Sequence, residues 1–96
     1  MNTNQDYIVR CDCAGVFFGK IKERTGSEVT MTDVRKLWSW DGACAVEQLA
    51  QDGTKAPGNC RFTVMIPEMT VLGAIQIIPC TDDASVSLRG VKEWKR

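Results

Sequence analysis

The sequence contains no histidine. Ser-His-Asp and Cys-His constellations are therefore excluded, and a group titrating near neutrality has to be a strongly shifted carboxylate, lysine or thiol. A P-loop, a G-x-G-x-x-G stretch and a paired-carboxylate pattern are also absent. Net charge is missing too, because twelve basic side chains balance twelve acidic ones. That removes both the global positive field of a duplex DNA binder and the acidity of a DNA mimic, so any partner is recognised locally. No apolar run approaches the roughly 20 residues that span a bilayer, and MNTNQDYIVR has no basic start followed by an apolar stretch. The expectation is a cytoplasmic, non-enzymatic protein with no membrane or duplex nucleic-acid partner.

Five cysteines are present, yet no two stand as C-x-x-C. Without that spacing and without histidine, a zinc site is not supported, and no metal or cofactor is expected. Cys11, Cys13, Cys44, Cys60 and Cys80 read as reduced thiols, of which buried ones behave as small apolar side chains.

The 96 residues carry 44% hydrophobic content and describe one small domain over 1–96, with residues 1–6 as a flexible tail. Strand-like runs fall at 7–13 and 16–23, and Thr25-Gly26 turns the second into 27–32. A fourth run, 33–40, puts Val34, Lys36, Trp38 and Trp40 on one face and Arg35, Leu37 and Ser39 on the other. Asp41 as N-cap and Gly53 as C-terminal stop bracket a helix whose Ala43, Val46, Leu49 and Ala50 recur at helical spacing. Residues 60–67 alternate as a further strand. Residues 68–80, rich in β-branched side chains and broken at Gly73, form one bent strand or two. Thr81 caps a last helix running to Gly90, ahead of a basic tail, VKEWKR. The fold class is α+β, a mostly antiparallel sheet of about six strands with two short helices.

Arg10, Ala14-Gly15-Val16, the R-x-x-W-x-W-x-G-A centre (Arg35, Trp38, Trp40, Gly42, Ala43) and Ile78-Pro79-Cys80 resemble a pattern found in small uncharacterised proteins encoded by phages and prophages. Ser39 departs from it, standing where that pattern has arginine or an aromatic residue. The resemblance implies work inside an infected bacterium and assigns no activity. By analogy of setting and size, it suggests an anti-defence protein that binds and sequesters a cyclic nucleotide or cyclic ADP-ribose-type immune signal without cleaving it. The alternatives are a module that blocks a host defence protein directly and a minor virion or assembly component.

A nucleotide needs flat surfaces for its bases and cations or N–H donors for its phosphates. The candidates are Trp38, Trp40 and Phe62 as platforms and Arg10, Arg35 and Arg61 as phosphate partners, with Asp41 and Gly42 at the helix start. The competing reading places the two tryptophans in the core or a subunit interface and the arginines on solvated faces or in ion pairs. Trp94 is expected to cover a hydrophobic edge. Phe17 and Phe18, being adjacent on a strand, point to opposite faces, which makes one of them a candidate interface residue and suggests a homo-oligomer.

Overall fold

The computed structural model describes residues 4–94. Three strands, β1 (Asp6–Cys11), β2 (Gly15–Thr25) and β3 (Glu28–Ser39), form an antiparallel meander. Helix α1 (Val46–Asp52) and a single 3-10 turn (Pro57–Asn59) follow. The chain then returns to the sheet as β4 (Arg61–Phe62), β5 (Ile66–Val71) and β6 (Ala74–Pro79), and ends on α2 (Asp82–Arg89). Every pairing between these strands is antiparallel, so the α+β expectation of six strands and two helices holds.

The sheet is coiled rather than flat. Strand β5 pairs with β3 and β6 with β1, although only Leu72 and Gly73 join them. The connection sits between the two ends of the meander: Asp12 N donates to Gly73 O at 2.9 Å and Ala74 N to Ser27 O at 2.9 Å. Gly73 makes this crossing at φ +77°, a conformation that side-chain-bearing residues rarely adopt. The break expected there thus separates two strands on opposite flanks of one coiled sheet.

Bending is produced by bulges. Register shifts interrupt the β2–β3 ladder between Phe18 and Lys20 and again between Ile21 and Glu23, and bulges sharpen local twist. At the first, Asp33 takes φ +46°, while a Cβ on Gly19 would lie 2.8 Å from Val34 Cα. Only glycine permits that approach. The runs 27–32 and 33–40, which read as separate strands, are therefore one strand hinged at Asp33.

Coiling gives the sheet two buried faces. The inner face gathers Tyr7, Val9, Phe17, Ile21, Met31, Val34 and Val71. The outer face, with Ile8, Phe18, Leu37 and Phe62, is covered by Leu49 and Ala50 of α1 and by Ala84 and Leu88 of α2. Phe17 and Phe18 do point oppositely, but each enters a core, at 5% and 0% exposure. The expectation of an exposed phenylalanine at an interface is overturned, because a coiled sheet covered on its convex side has no free face at this point.

The first described residues are also tied in. Residues 1–3 of the expected 1–6 tail and residues 95–96 of the basic tail lie outside the described residues. Gln5 and Asp6 belong to the fold: Gln5 Nε2 donates to Cys80 O at 2.6 Å, and Asp6 is buried in β1. Its carboxylate accepts from Arg89 Nε at 3.0 Å, is doubly held by the same guanidinium, and takes Lys20 Nζ at 3.3 Å. Burial works to raise its pKa, but hydrogen bonding and charge from Arg89, with Lys20 and Ser85, hold the net value below that of an ordinary carboxylate.

Candidate functional site

Helix α2 begins as its sequence predicts, with Thr81 accepting from Ala84 N at 3.1 Å and Asp82 and Asp83 in the first turn. Its far end leaves carbonyls without helical partners. Arg35 reaches them from β3: Nη1 donates to Leu88 O at 3.2 Å and Val91 O at 2.8 Å, and Nε donates to Thr63 O at 3.1 Å. The guanidinium also lies 5.3 Å from the Phe62 ring centroid. Burial lowers the Arg35 pKa, with Glu93 opposing and Arg89 adding to the effect, yet a guanidinium stays charged.

Arg35 and Phe62, read as phosphate partner and base platform, are thereby corrected. Both are buried, at 2% and 0% exposure, and Nε and Nη1 of Arg35 donate to backbone oxygens. Their work is structural, and it shapes the surface next to them. With Leu88 and Val91 gripped, the chain beyond α2 runs alongside β4: Glu93 bridges Phe62 in parallel, and Trp94 N donates to Phe62 O at 2.9 Å.

That course sets Trp94 against Trp38, with ring centroids 4.7 Å apart and planes tilted by 46°. Strand β4 supplies Arg61, whose Cζ lies 5.9 Å from the Trp38 centroid and 5.3 Å from that of Trp94. Alternation explains the grouping. Phe62 and Leu37 face the helices, so Arg61 and Thr63 face the other way, as do Lys36 and Trp38. Despite these neighbours Trp38 remains 50% exposed. A groove of about 330 Å³, lined by Lys36, Trp38, Thr63 and Trp94, opens beside it.

The remaining candidates lie elsewhere. Trp40 does not join Trp38; it is half-buried against the helix-covered core. Arg10 is exposed on β1, opposite Val16 and Gln76, close enough to Glu47 to lower that carboxyl's pKa behind the larger effects of the Glu47 backbone and Gln76 hydrogen bonds. Asp41 does not cap α1. Its Oδ1 accepts from Gly42 N at 2.8 Å and its Oδ2 from Asn59 Nδ2 at 3.4 Å. The helix starts at Val46, with Gln48 Oε1 accepting from Cys44 N at 2.9 Å. Gly42 thus precedes the helix by several residues and offers no helix terminus to an anion. It accepts from Lys55 N at 3.4 Å, within the loop that Asp41 organises.

Of the proposed site residues, Trp38 and Arg61 are brought together, and Trp94, Lys36 and Thr63 complete the surface. Lys36 was legible, two residues before Trp38 on the same strand face. Trp94 was not, because its position depends on the grip of Arg35 on Val91.

A further hollow of about 530 Å³ lies between the Pro57–Cys60 segment and the Gly90–Trp94 segment, but Glu93 lines it and disfavours an anion there. Among the described residues, no three His, Cys, Asp or Glu side chains gather to hold a metal ion, and no helix is long and apolar enough to cross a membrane. No curated protein and no solved structure matches the chain. Residues 4–88 match the family described as Domain of unknown function (DUF6948), and the chain belongs to it.

Proposed function

We propose that this family member is a non-catalytic binding protein for a nucleotide-type ligand, held on the Trp38–Trp94 pair. The observation that carries the reading is an indole pair, Trp38 exposed and Trp94 half-buried, with a guanidinium over both rings, beside a groove whose lining contains a lysine and no carboxylate. Bases stack on indole faces irrespective of identity, and cations beside them take the phosphate. Arg61 and Lys36 fill that second role in place of Arg35. The resemblance of the tryptophan-rich centre to phage and prophage proteins supports a setting in which a cyclic nucleotide or cyclic ADP-ribose-type immune signal is sequestered intact in the infected cell.

The test is titration of the purified protein with cyclic nucleotides and cyclic ADP-ribose isomers, followed by tryptophan fluorescence and melting temperature. Binding to the native state raises the melting temperature by mass action. The expected result is a selective shift, lost in Trp38→Ala, with the ligand recovered unchanged after denaturation. A flat response to every nucleotide, with a stoichiometric host protein captured through the same surface, overturns the reading in favour of a protein partner.

A further inference from the structure

Lys36 lines two hollows at once. On one side is the tryptophan groove. On the other, a groove of about 560 Å³ runs between the Cys13-Ala14 turn and the end of β5 with Leu72 beyond it, floored by Phe17 and Val71. The second hollow is the mouth of the coiled sheet. Phe17 and Val71 belong to its inner core, and Leu72 stands at the rim with 63% exposure. Each volume lies within the ~300–1,000 Å³ typical of ligand clefts.

The lysine is placed where the two meet. On one face of β3, Val34 is in the inner core, Lys36 is half-buried at the mouth, and Trp38 stands beyond it. Gly15 lies beneath the lysine stem; a Cβ there would come within 2.9 Å of Lys36 Cε. Among the described residues the Lys36 ammonium has no hydrogen-bonded or ion-paired partner, unlike Lys20 and Lys22, which pair with Asp6 and Glu68. The linings of both hollows contain no carboxylate. An ammonium on a half-buried lysine between two largely apolar clefts is a site for one anion carrying an apolar or planar group on either side.

We propose that the two hollows form one site for a dinucleotide, with Lys36 on the linking phosphate, one base on Trp38 and Trp94, and the second in the groove walled by Ala14, Phe17, Met69 and Leu72. This rests on the nucleotide reading above and adds to it the number of bases.

The experiment compares adenosine monophosphate with cyclic di-adenosine monophosphate by calorimetric titration of the wild-type chain, Lys36→Gln and Ala14→Trp. Both substitutions are at sites where folding is not at stake: the Lys36 ammonium is unpaired among the described residues and Ala14 is exposed in a turn. The dinucleotide is expected to bind at least about tenfold more tightly than the mononucleotide, a difference that Ala14→Trp abolishes by filling the second groove while leaving the mononucleotide unaffected. Lys36→Gln is expected to weaken both ligands by about tenfold or more. If the mononucleotide binds through Trp38 but the dinucleotide is no tighter, or its advantage survives Ala14→Trp, the two-groove site is overturned and the nucleotide reading stands. If neither ligand binds, the two-groove site is overturned, and the nucleotide reading falls with it when the cyclic nucleotides and cyclic ADP-ribose isomers also give a flat response.

Discussion

The Arg35 guanidinium donates to the Val91 carbonyl at 2.8 Å, joining the middle of β3 to the residue after the α2 cap. A buried cation that ties three backbone carbonyls together is a structural part whose loss leaves each oxygen without its partner. Arg35→Ala is expected to lower unfolding free energy by about 3 kcal/mol, since hydrogen bonds to charged groups and unsatisfied buried carbonyls each count for more than an ordinary bond. Arg35→Lys is expected to restore only part of this, because a single ammonium cannot reproduce the planar fork. Chemical denaturation of the two variants checks the ranking. A wild-type midpoint for Arg35→Ala, accompanied by lost ligand binding, would return this residue to the ligand surface.

Asp6 supplies the acid-side prediction. Its pKa lies below the ordinary 3.8 in the folded chain, so the folded state binds its proton less readily than the unfolded one. The associated stabilisation is fully present above the unfolded value and is lost as pH falls through 3.8 toward the lower folded value. Asp6→Asn is expected to reduce stability at neutral pH and to flatten the acid limb of the stability profile. Urea midpoints measured from pH 6 down to pH 2 give both quantities, and an unchanged acid slope would remove Asp6 from the account.

Local chemistry was the part of the fold most readable from sequence. Thr81 as cap, Gly53 as stop and the Leu49-Ala50 face each depend on neighbours within a few residues, and each is found as expected. The start of α1 was misread because the amide ahead of the helix is served from within the helix and not by Asp41. Gln48 serves Cys44 from within the helix, which frees Asp41 to organise the loop. Strand alternation separated Arg35 from Trp38 correctly, but alternation does not say which face is covered. The face bearing Arg35 proved to lie under α2, which buries the arginine and leaves Trp38 exposed. Bulges at Gly19 and Asp33 and the crossing at Gly73 required the third dimension, since residues 68–80 read as one bent strand or two until the sheet is seen to coil.

The thiols divide by environment. Cys13 and Cys44 are exposed, whereas Cys11, Cys60 and Cys80 are buried. Burial raises the Cys11 pKa, and burial together with the Asp6 charge, opposed by Arg89, pushes Cys80 up to about 12. Reaction requires an accessible thiolate, so a thiol reagent at pH 8 is expected to modify two cysteines quickly and three only on unfolding. The same shift gives an alkaline limb. The stabilisation from Cys80 is intact below pH 9.0, the unfolded thiol's value, and is lost as pH rises toward about 12. Cys80→Ala is expected to make that limb shallower in a series of unfolding midpoints.

The two tryptophans of the WSW stretch are expected to part company under substitution. Trp40 packs against the helix-covered core, so Trp40→Ala leaves a gap beneath α1 and should cost about 2 kcal/mol of stability for a half-buried indole. Trp38 contacts Trp94 and Arg61 at the surface, and such an aromatic pair contributes about 1 kcal/mol. Trp38→Ala is therefore expected to melt within a few degrees of wild type while losing nucleotide-dependent fluorescence quenching, and Trp40→Ala to melt lower while retaining it. Arg61→Gln should behave as Trp38→Ala does, because its guanidinium lies over both rings without holding any buried element. Thermal melts and ligand titrations on the three variants separate stability from binding. If Trp40→Ala abolishes binding at full stability while Trp38→Ala leaves it intact, the platform has been assigned to the wrong indole.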